Sequence, residues 1–364
     1  MQLSTRRLTG ALALVCSSQF LPAIAVANTC DRITGSGPLS FTLNMNTIFV
    51  PRDAPVGSVI GMERQFLRPP NNEGSSIRCS NDGGTRLISN VLTRAGFFPG
   101  LLPANTALNA PQSIMNTNIP GVGVTITLGF PFDDSATNAF VPDTGNATVP
   151  FSAHHERPMG TTNLNFSRLE SWITLVKTGD IPAGPQDLNV SEIFNGTFTG
   201  IPGKAFGAGL VGTVVQAHCG TYRVSDDPVR LGSWNMSDFT GPGYTTTPTP
   251  FHITLSSCVA DGTDKNIANA HIRFEGSGGS VPITPPITGV FSLTPGSAAK
   301  GIGIQILRDD GSTPVALDTE VPMGAIGARD TVLAFNARFY QIGPSRDLRP
   351  GDAKGTLNFT LTYK

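Results

Sequence analysis

GTLNFTLTYK, residues 355–364, places Leu357, Phe359, Leu361 and Tyr363 on one face of an extended chain and Asn358, Thr360 and Thr362 on the other. A period of two is the mark of a β-strand that buries one side. The same period recurs upstream in Val122, Val124 and Ile126, in Phe251, Ile253 and Leu255, and in Ile302, Ile304 and Ile306. Ile272 with Phe274, and Leu333, Phe335, Ala337 and Phe339, predict further strands. Turn residues separate these runs at short intervals, so the pattern predicts an all-β sandwich rather than alternating strands and helices. One window, Thr85 to Ala95, carries Leu87, Ile88, Val91 and Leu92 at helical spacing and predicts a single short helix.

Composition supports this reading. Gly (41) and Pro (29) together make up 70 of the 364 residues, which disfavours long helices. Charged residues are only 14%, yet the 39% of hydrophobic residues suffices for cores of alternating strands. With Lys+Arg 25 against Asp+Glu 26 there is no basic excess for a phosphate backbone, so no nucleic-acid partner is expected. The length suggests two domains.

Arg6 and Arg7, the apolar stretch from Leu8 and the Ala25-Val26-Ala27 cleavage pattern predict a secretion signal over residues 1–27. Cleavage would remove Cys16 and leave Cys30, Cys79, Cys219 and Cys258. An even number in an exported chain points to disulfides. Three pairings are possible; the wide gap between Cys79 and Cys219 favours Cys30 with Cys79 and Cys219 with Cys258. Each bridge would restrict the unfolded chain by about 4 kcal/mol on the chain-entropy model. The glycine-rich stretch from Gly196 to Gly212 predicts a linker near Gly200 to Gly207. Domains are therefore expected at 28–204 and 205–364.

Enzyme motifs fail on context. Gly207-Ala208-Gly209-Leu210-Val211-Gly212 fits the dinucleotide pattern, but Thr213-Val214-Val215 follows where a helix should begin. His154-His155-Glu156 reads as a surface loop, because adjacent side chains on an extended segment point apart and cannot share a metal. A nucleophile elbow and a Walker loop are both absent from the sequence. No catalytic residue, metal or cofactor is expected.

Three features of the second half converge: Cys219 and Cys258 at the ends of strand-like runs, the run AKGIGIQILRDDG (299–311), and ARFY (337–340) followed by PGDAKGTLNFTLTYK (350–364). Together they resemble the pilin domain of chaperone-usher fimbriae over about residues 205–364. The resemblance implies an incomplete immunoglobulin-like sandwich that lacks its last strand. A periplasmic chaperone would fill the groove bordered by Leu357, Phe359, Leu361 and Tyr363, and an adjacent pilus subunit would then donate a strand to it, a case of strand addition to a sheet edge. Export through the outer-membrane usher to the cell surface follows from the same resemblance.

Ahead of that domain the chain has its own cysteine pair and strand pattern in place of a short donor segment. RLESWITLVKTG (168–179) resembles the closing strand of N-terminal receptor-binding domains, so the layout is similar to that of two-domain tip adhesins of the type 1 and type 3 fimbrial family. The resemblance implies a lectin-like domain that binds a host glycan or matrix protein at the end farthest from the pilin domain. Mannose-binding relatives begin with phenylalanine; here the mature chain is expected to begin Asn28-Thr29-Cys30. Sugar hydroxyls are held by paired donors and acceptors on fixed loops. Asp133, Asp134, Asn138, Asp143 and Asn146 form one candidate cluster, and Lys177, Thr178 and Asp180 form a second. Trp172, inside a strand run, reads as a core residue.

Overall fold

The computed structural model describes residues 28–33, 35–110, 112–261 and 267–364. The expected signal segment, with Cys16, lies outside them. In chain order the strands are β1 (Thr29–Arg32), β2 (Leu39–Pro51), β3 (Val59–Leu67), β4 (Ile77–Ser80), β5 (Leu87–Thr93), β6 (Met115–Asn116) and β7 (Val122–Leu128). Then come β8 (Val141–Pro142), β9 (Phe151–His155), β10 (Leu164–Phe166), β11 (Ser171–Lys177), β12 (Gln186–Phe198) and the long β13 (Phe206–Val224). The remainder are β14 (Thr249–Val259), β15 (Asn269–Ser277), β16 (Val290–Ser292), β17 (Ile302–Arg308), β18 (Val321–Ala325), β19 (Thr331–Gln341) and β20 (Thr356–Tyr363). Helical structure among the described residues is limited to three short 3-10 turns. The all-β expectation holds.

The window read as a helix is strand β5. Leu87 and Val91 are fully buried, whereas Ile88 and Leu92 are 42% and 54% exposed. A spacing of four returns to the same face in both periodicities, so Leu87/Val91 and Ile88/Leu92 could not separate helix from strand. Pairing did: β5 lies between β12 and β9, hydrogen-bonded to both.

Two large apolar cores form among the described residues, beside a small cluster of Leu102, Ile114 and Val176. One gathers buried residues from Cys30 to Val214, the other from Ala217 to Tyr363. The first is covered by β13-β12-β5-β9-β8 with β2, by β3-β11-β7-β6 and by β1-β4-β10. In the second, β16-β17-β19-β14-β13 faces β18-β15-β20, and Phe274 meets Phe335 across the sandwich at 5.4 Å. Each core holds one disulfide, Cys30–Cys79 in the first and Cys219–Cys258 in the second. In both cases the two cysteines are directly opposed on neighbouring strands.

The expected linker is not a linker. Residues 199–205 form the turn of a hairpin between β12 and β13, and β13 then runs without a break from the first core into the second. The two apolar cores therefore divide inside this strand, between Val214 and Ala217. The glycines are spaced for packing. A Cβ on Gly196 would run into the ring of Phe206, which is fully buried and meets Phe166, Phe198 and Phe132 at 5.1, 5.6 and 5.8 Å. Gly209 faces the backbone of Ser191, where β12 bulges, at 2.8 Å from its would-be Cβ.

Phe206→Ala should cost about 3–5 kcal/mol through loss of this aromatic centre, and Gly196→Ala about 1–3 kcal/mol through overpacking. Because both changes act on the same space, the double variant should be less destabilised than the sum of the two. A double-mutant cycle from denaturant unfolding of the full chain reads that coupling.

Candidate functional site

Strand β20 is the outermost strand of its sheet, paired only with β15. Lys364 and Asn269 exchange both backbone hydrogen bonds, at 2.7 and 3.0 Å. Antiparallel alternation then turns the N–H and C=O of Tyr363, Leu361, Phe359 and Leu357 away from β15. At Tyr363 this outer edge is closed by the first unit: the Asp53 N–H donates to the Tyr363 carbonyl at 3.0 Å, and the Tyr363 N–H donates to Asp53 Oδ2 at 2.9 Å. No backbone or side-chain partner closes it at Leu357, Phe359 or Leu361 among the described residues.

The side chains follow the period read from the sequence. Tyr363 is buried, Leu357, Phe359 and Leu361 are half-buried against the second core, and Asn358 and Thr360 are exposed. Thr362 departs by being half-buried beside Glu320, which its hydroxyl contacts. Across the seam of the sandwich, Tyr222 of β13 meets Phe359 at 4.9 Å without any backbone pairing between the two strands. Farther along, an open cleft of about 810 Å³ separates the segment 228–236 from residues 348–355 that lead into β20. Its floor is apolar: Ile302, Ile304 and Phe339. Val229 and Leu231 on one wall and Leu348 and Ala353 on the other pack against the same core.

The ligand candidates of the first unit do not converge. Strand β13 starts at the end remote from the second core, so loops near its start are distal. Asp133, Asp134 and Asn138 belong to the 129–140 segment near that distal end. There Asp133 accepts from its neighbour Ser135, Asp134 pairs with Arg157, and Asn138 reaches the Asn163 carbonyl at 3.5 Å. Asp143 pairs with His154 and Arg86. Asn146 borders a different cleft on the flank. Lys177, Thr178 and Asp180 lie at the opposite end, near Arg52 and Gly121. Lys177 is buried and donates to the Arg52 carbonyl at 2.9 Å, Thr178 bonds to Gly121, and Asp180 is exposed. Burial holds the Lys177 amine below its ordinary pKa. A lysine spent on sealing the junction does not form part of a distal pocket.

His154 and His155 lie on strand β9 rather than in a surface loop, and they point to opposite faces as extended neighbours must. His155 is fully buried, with Nε2 at 2.9 Å from the Thr137 carbonyl and Nδ1 at 3.4 Å from Asn81 Nδ2. Those partners fit a neutral ring that donates through Nε2. Trp172, expected in a core, is half-exposed on the outer face of β11.

Residues 209–364 match the family described as Fimbrial protein. A fimbrial subunit type 1 of Salmonella typhimurium is 30% identical over 156 residues, which cover 42% of this chain and 80% of that protein. The chain belongs to the fimbrial protein family. Similarity extends beyond the pilin region of this fimbrial protein: a fimbria adhesin protein of Klebsiella pneumoniae is 28% identical over 326 residues, 88% of this chain and 89% of the other. Among solved structures, the CupB6 tip adhesin from Pseudomonas aeruginosa aligns with 92% of this chain and 94% of its own at 17% identity, with a TM-score of 0.37.

The buried histidine gives this fimbrial protein an acid-sensitive point. Desolvation lowers the His155 pKa below its ordinary 6.5, the Thr137 carbonyl opposes that shift, and Arg157 and His154 reinforce it. The stability gained by keeping the ring neutral is fully present above the unfolded value of 6.5 and is lost as pH falls from there toward the lower folded value. Denaturant midpoints of the full chain between about pH 8 and 4 should show this loss. In His155→Gln the acid-side slope should shrink, even though that variant starts from lower stability.

Proposed function

We propose that this fimbrial protein is a two-domain tip adhesin. Its C-terminal pilin unit is completed by a strand from another protein, and its N-terminal unit attaches the fibre to a host glycan or matrix protein. The observation that carries the first half is the outer edge of β20, open at Leu357, Phe359 and Leu361 beside half-buried side chains and an apolar cleft. An unpaired strand edge over an apolar floor is a template for strand addition, in which main-chain hydrogen bonds provide affinity and alternate pockets provide specificity. Left empty, it is an aggregation hazard.

The occupants fitting this reading are a periplasmic pilus chaperone during export, engagement with the outer-membrane usher, and then the donor strand of the adjacent subunit. The second half rests on what precedes the pilin unit: a complete core from Cys30 to Val214 instead of a short alternating segment. Such a layout accepts a strand and carries a separate binding domain, which suits the exposed end of a fibre on the cell surface. The division of labour falls within β13, with residues 28–216 as the receptor-binding unit and 217–364 as the pilin unit. The role is adhesive, with no catalytic step.

Phe359→Asp tests the open edge. It places a carboxylate in the half-buried row at a cost of several kcal/mol, so chaperone co-purification and periplasmic yield should collapse. Thr360→Asp, on the exposed side of the same strand, should keep both near wild type. Equal yield and chaperone capture for wild type and Phe359→Asp would remove β20 as the assembly strand. Attachment of the full chain to glycan and matrix-protein surfaces tests the second half, and no attachment to any of them would leave a structural subunit instead.

A further inference from the structure

The flank of the first unit holds a cleft that the sequence reading touched only at Asn146. On β7 and β11 the inward residues Val124, Ile126, Ile173 and Leu175 are fully buried, so Thr125, Thr127, Trp172 and Thr174 point to the outer face. No second sheet covers that face among the described residues. Instead the segments around Leu108 and around Asn146 rise on either side and enclose about 480 Å³. That volume is within the range of about 300–1,000 Å³ usual for small-molecule sites.

The lining is built. Strand β3 changes register against β11, and within the shifted stretch Arg64 takes a left-handed backbone at φ 52°. A bulge re-aims a side chain, and a non-glycine residue at positive φ persists only where its surroundings hold it. Here the Arg64 N–H donates to Thr174 Oγ1 at 2.9 Å, and the guanidinium carbon stands 5.7 Å from the centre of the Trp172 ring. The guanidinium has no carboxylate partner among the described residues, so its N–H donors remain free. Thr127 and Thr148 join hydroxyls at 3.0 Å across the floor, and Asn146 Oδ1 accepts the Thr148 N–H at 3.1 Å, which fixes both positions.

We propose that this cleft is a saccharide site, taking a neutral hexose or N-acetylhexosamine unit side-on. Hydroxyl groups need donors and acceptors in alternation, which the threonines, Asn146, Arg64 and Glu63 supply, while the indole offers an apolar surface to ring C–H groups. Glu63 and Arg64 both line the cleft and their charges cancel, which favours a neutral sugar over an anionic one. The inference rests on the adhesive reading and places the contact on the flank instead of the distal end.

The chain has two tryptophans, so Trp234→Phe leaves Trp172 as its only indole. The full-length Trp234→Phe chain is titrated with the methyl glycosides of mannose, galactose, N-acetylglucosamine and N-acetylgalactosamine, read by Trp172 emission. At least one should give a saturable response with a Kd of about 1 mM or tighter. Adding Thr125→Val and Thr148→Val, which keep side-chain shape and remove hydroxyls, should weaken it tenfold or more with an unchanged unfolding midpoint. No saturable response to any of the four, or a response undiminished in the threonine variant, overturns the site. Attachment of the same proteins to glycan-bearing surfaces separates the two readings. If wild type and threonine variant attach equally, the flank site falls and the adhesive role stands; a wild type that titrates but attaches nowhere keeps the cleft and removes the adhesive role.

Discussion

Strand β13 must satisfy its backbone hydrogen bonds in two cores at once, and the rest of the molecule is arranged around how it does so. From Phe206 to Val214 its edges are taken by β12 on one side and by β2, running parallel, on the other, and β2 alone continues to Ala217. From His218 to Val224 only β14 pairs with it. Strand β2 ends at Pro51, and the Arg52 N–H makes the last contact, to the Ala217 carbonyl at 3.1 Å. Past that point the second edge of β13 has no strand beside it among the described residues, and across the seam the outer edge of β20 is open as well. Buried backbone groups are paired almost without exception. The first unit meets that requirement internally through β2, whereas in the second no strand among the described residues takes the same place.

The junction between the units is polar yet closed. Tyr363 is its centre: its backbone pairs with Asp53, and its ring lies 4.9 Å below the Arg52 guanidinium. Burial raises the Tyr363 pKa and lowers that of Lys177, so each is held toward its neutral form at the place where the two cores meet. Asp53 also sets where the open edge of β20 stops, because the backbone groups of Tyr363 are taken by Asp53 while those of Leu361 have no partner among the described residues. The first unit thus frames the groove of the second.

The glycine-rich run between the units shows how composition misleads when partners are unknown. NGTFTGIPGKAFGAGLVG (195–212) has the content of a flexible linker, yet most of it is paired strand. Gly196 is there because the Phe206 ring occupies the place of a side chain, and Gly209 because a bulged neighbour comes close. Glycine lowers the intrinsic preference for a strand, but a close backbone or ring approach from another strand can require it. Only the approaching group reveals which of the two applies.

The sequence by itself determined the all-β class, the cysteine pairing within each half and the face that β20 buries, because a period of two and the separation of the cysteines are local properties. It also carried the fimbrial resemblance, since those motifs lie along one stretch of chain. It did not determine β5, whose spacing of four suits either periodicity, or that the two apolar cores divide inside β13. It offered Lys177 as a ligand candidate and read Trp172 as a core residue and His155 as part of a surface loop. Each of these depends on what the far side of a strand meets: the carbonyl of Arg52, an uncovered sheet face, and a sealed pocket beside Thr137. A strand's two faces are set by its own residues, but which face is covered, and by what, is decided by strands distant in sequence. That is why the flank cleft of Trp172, Arg64 and the threonines became visible only in the tertiary structure.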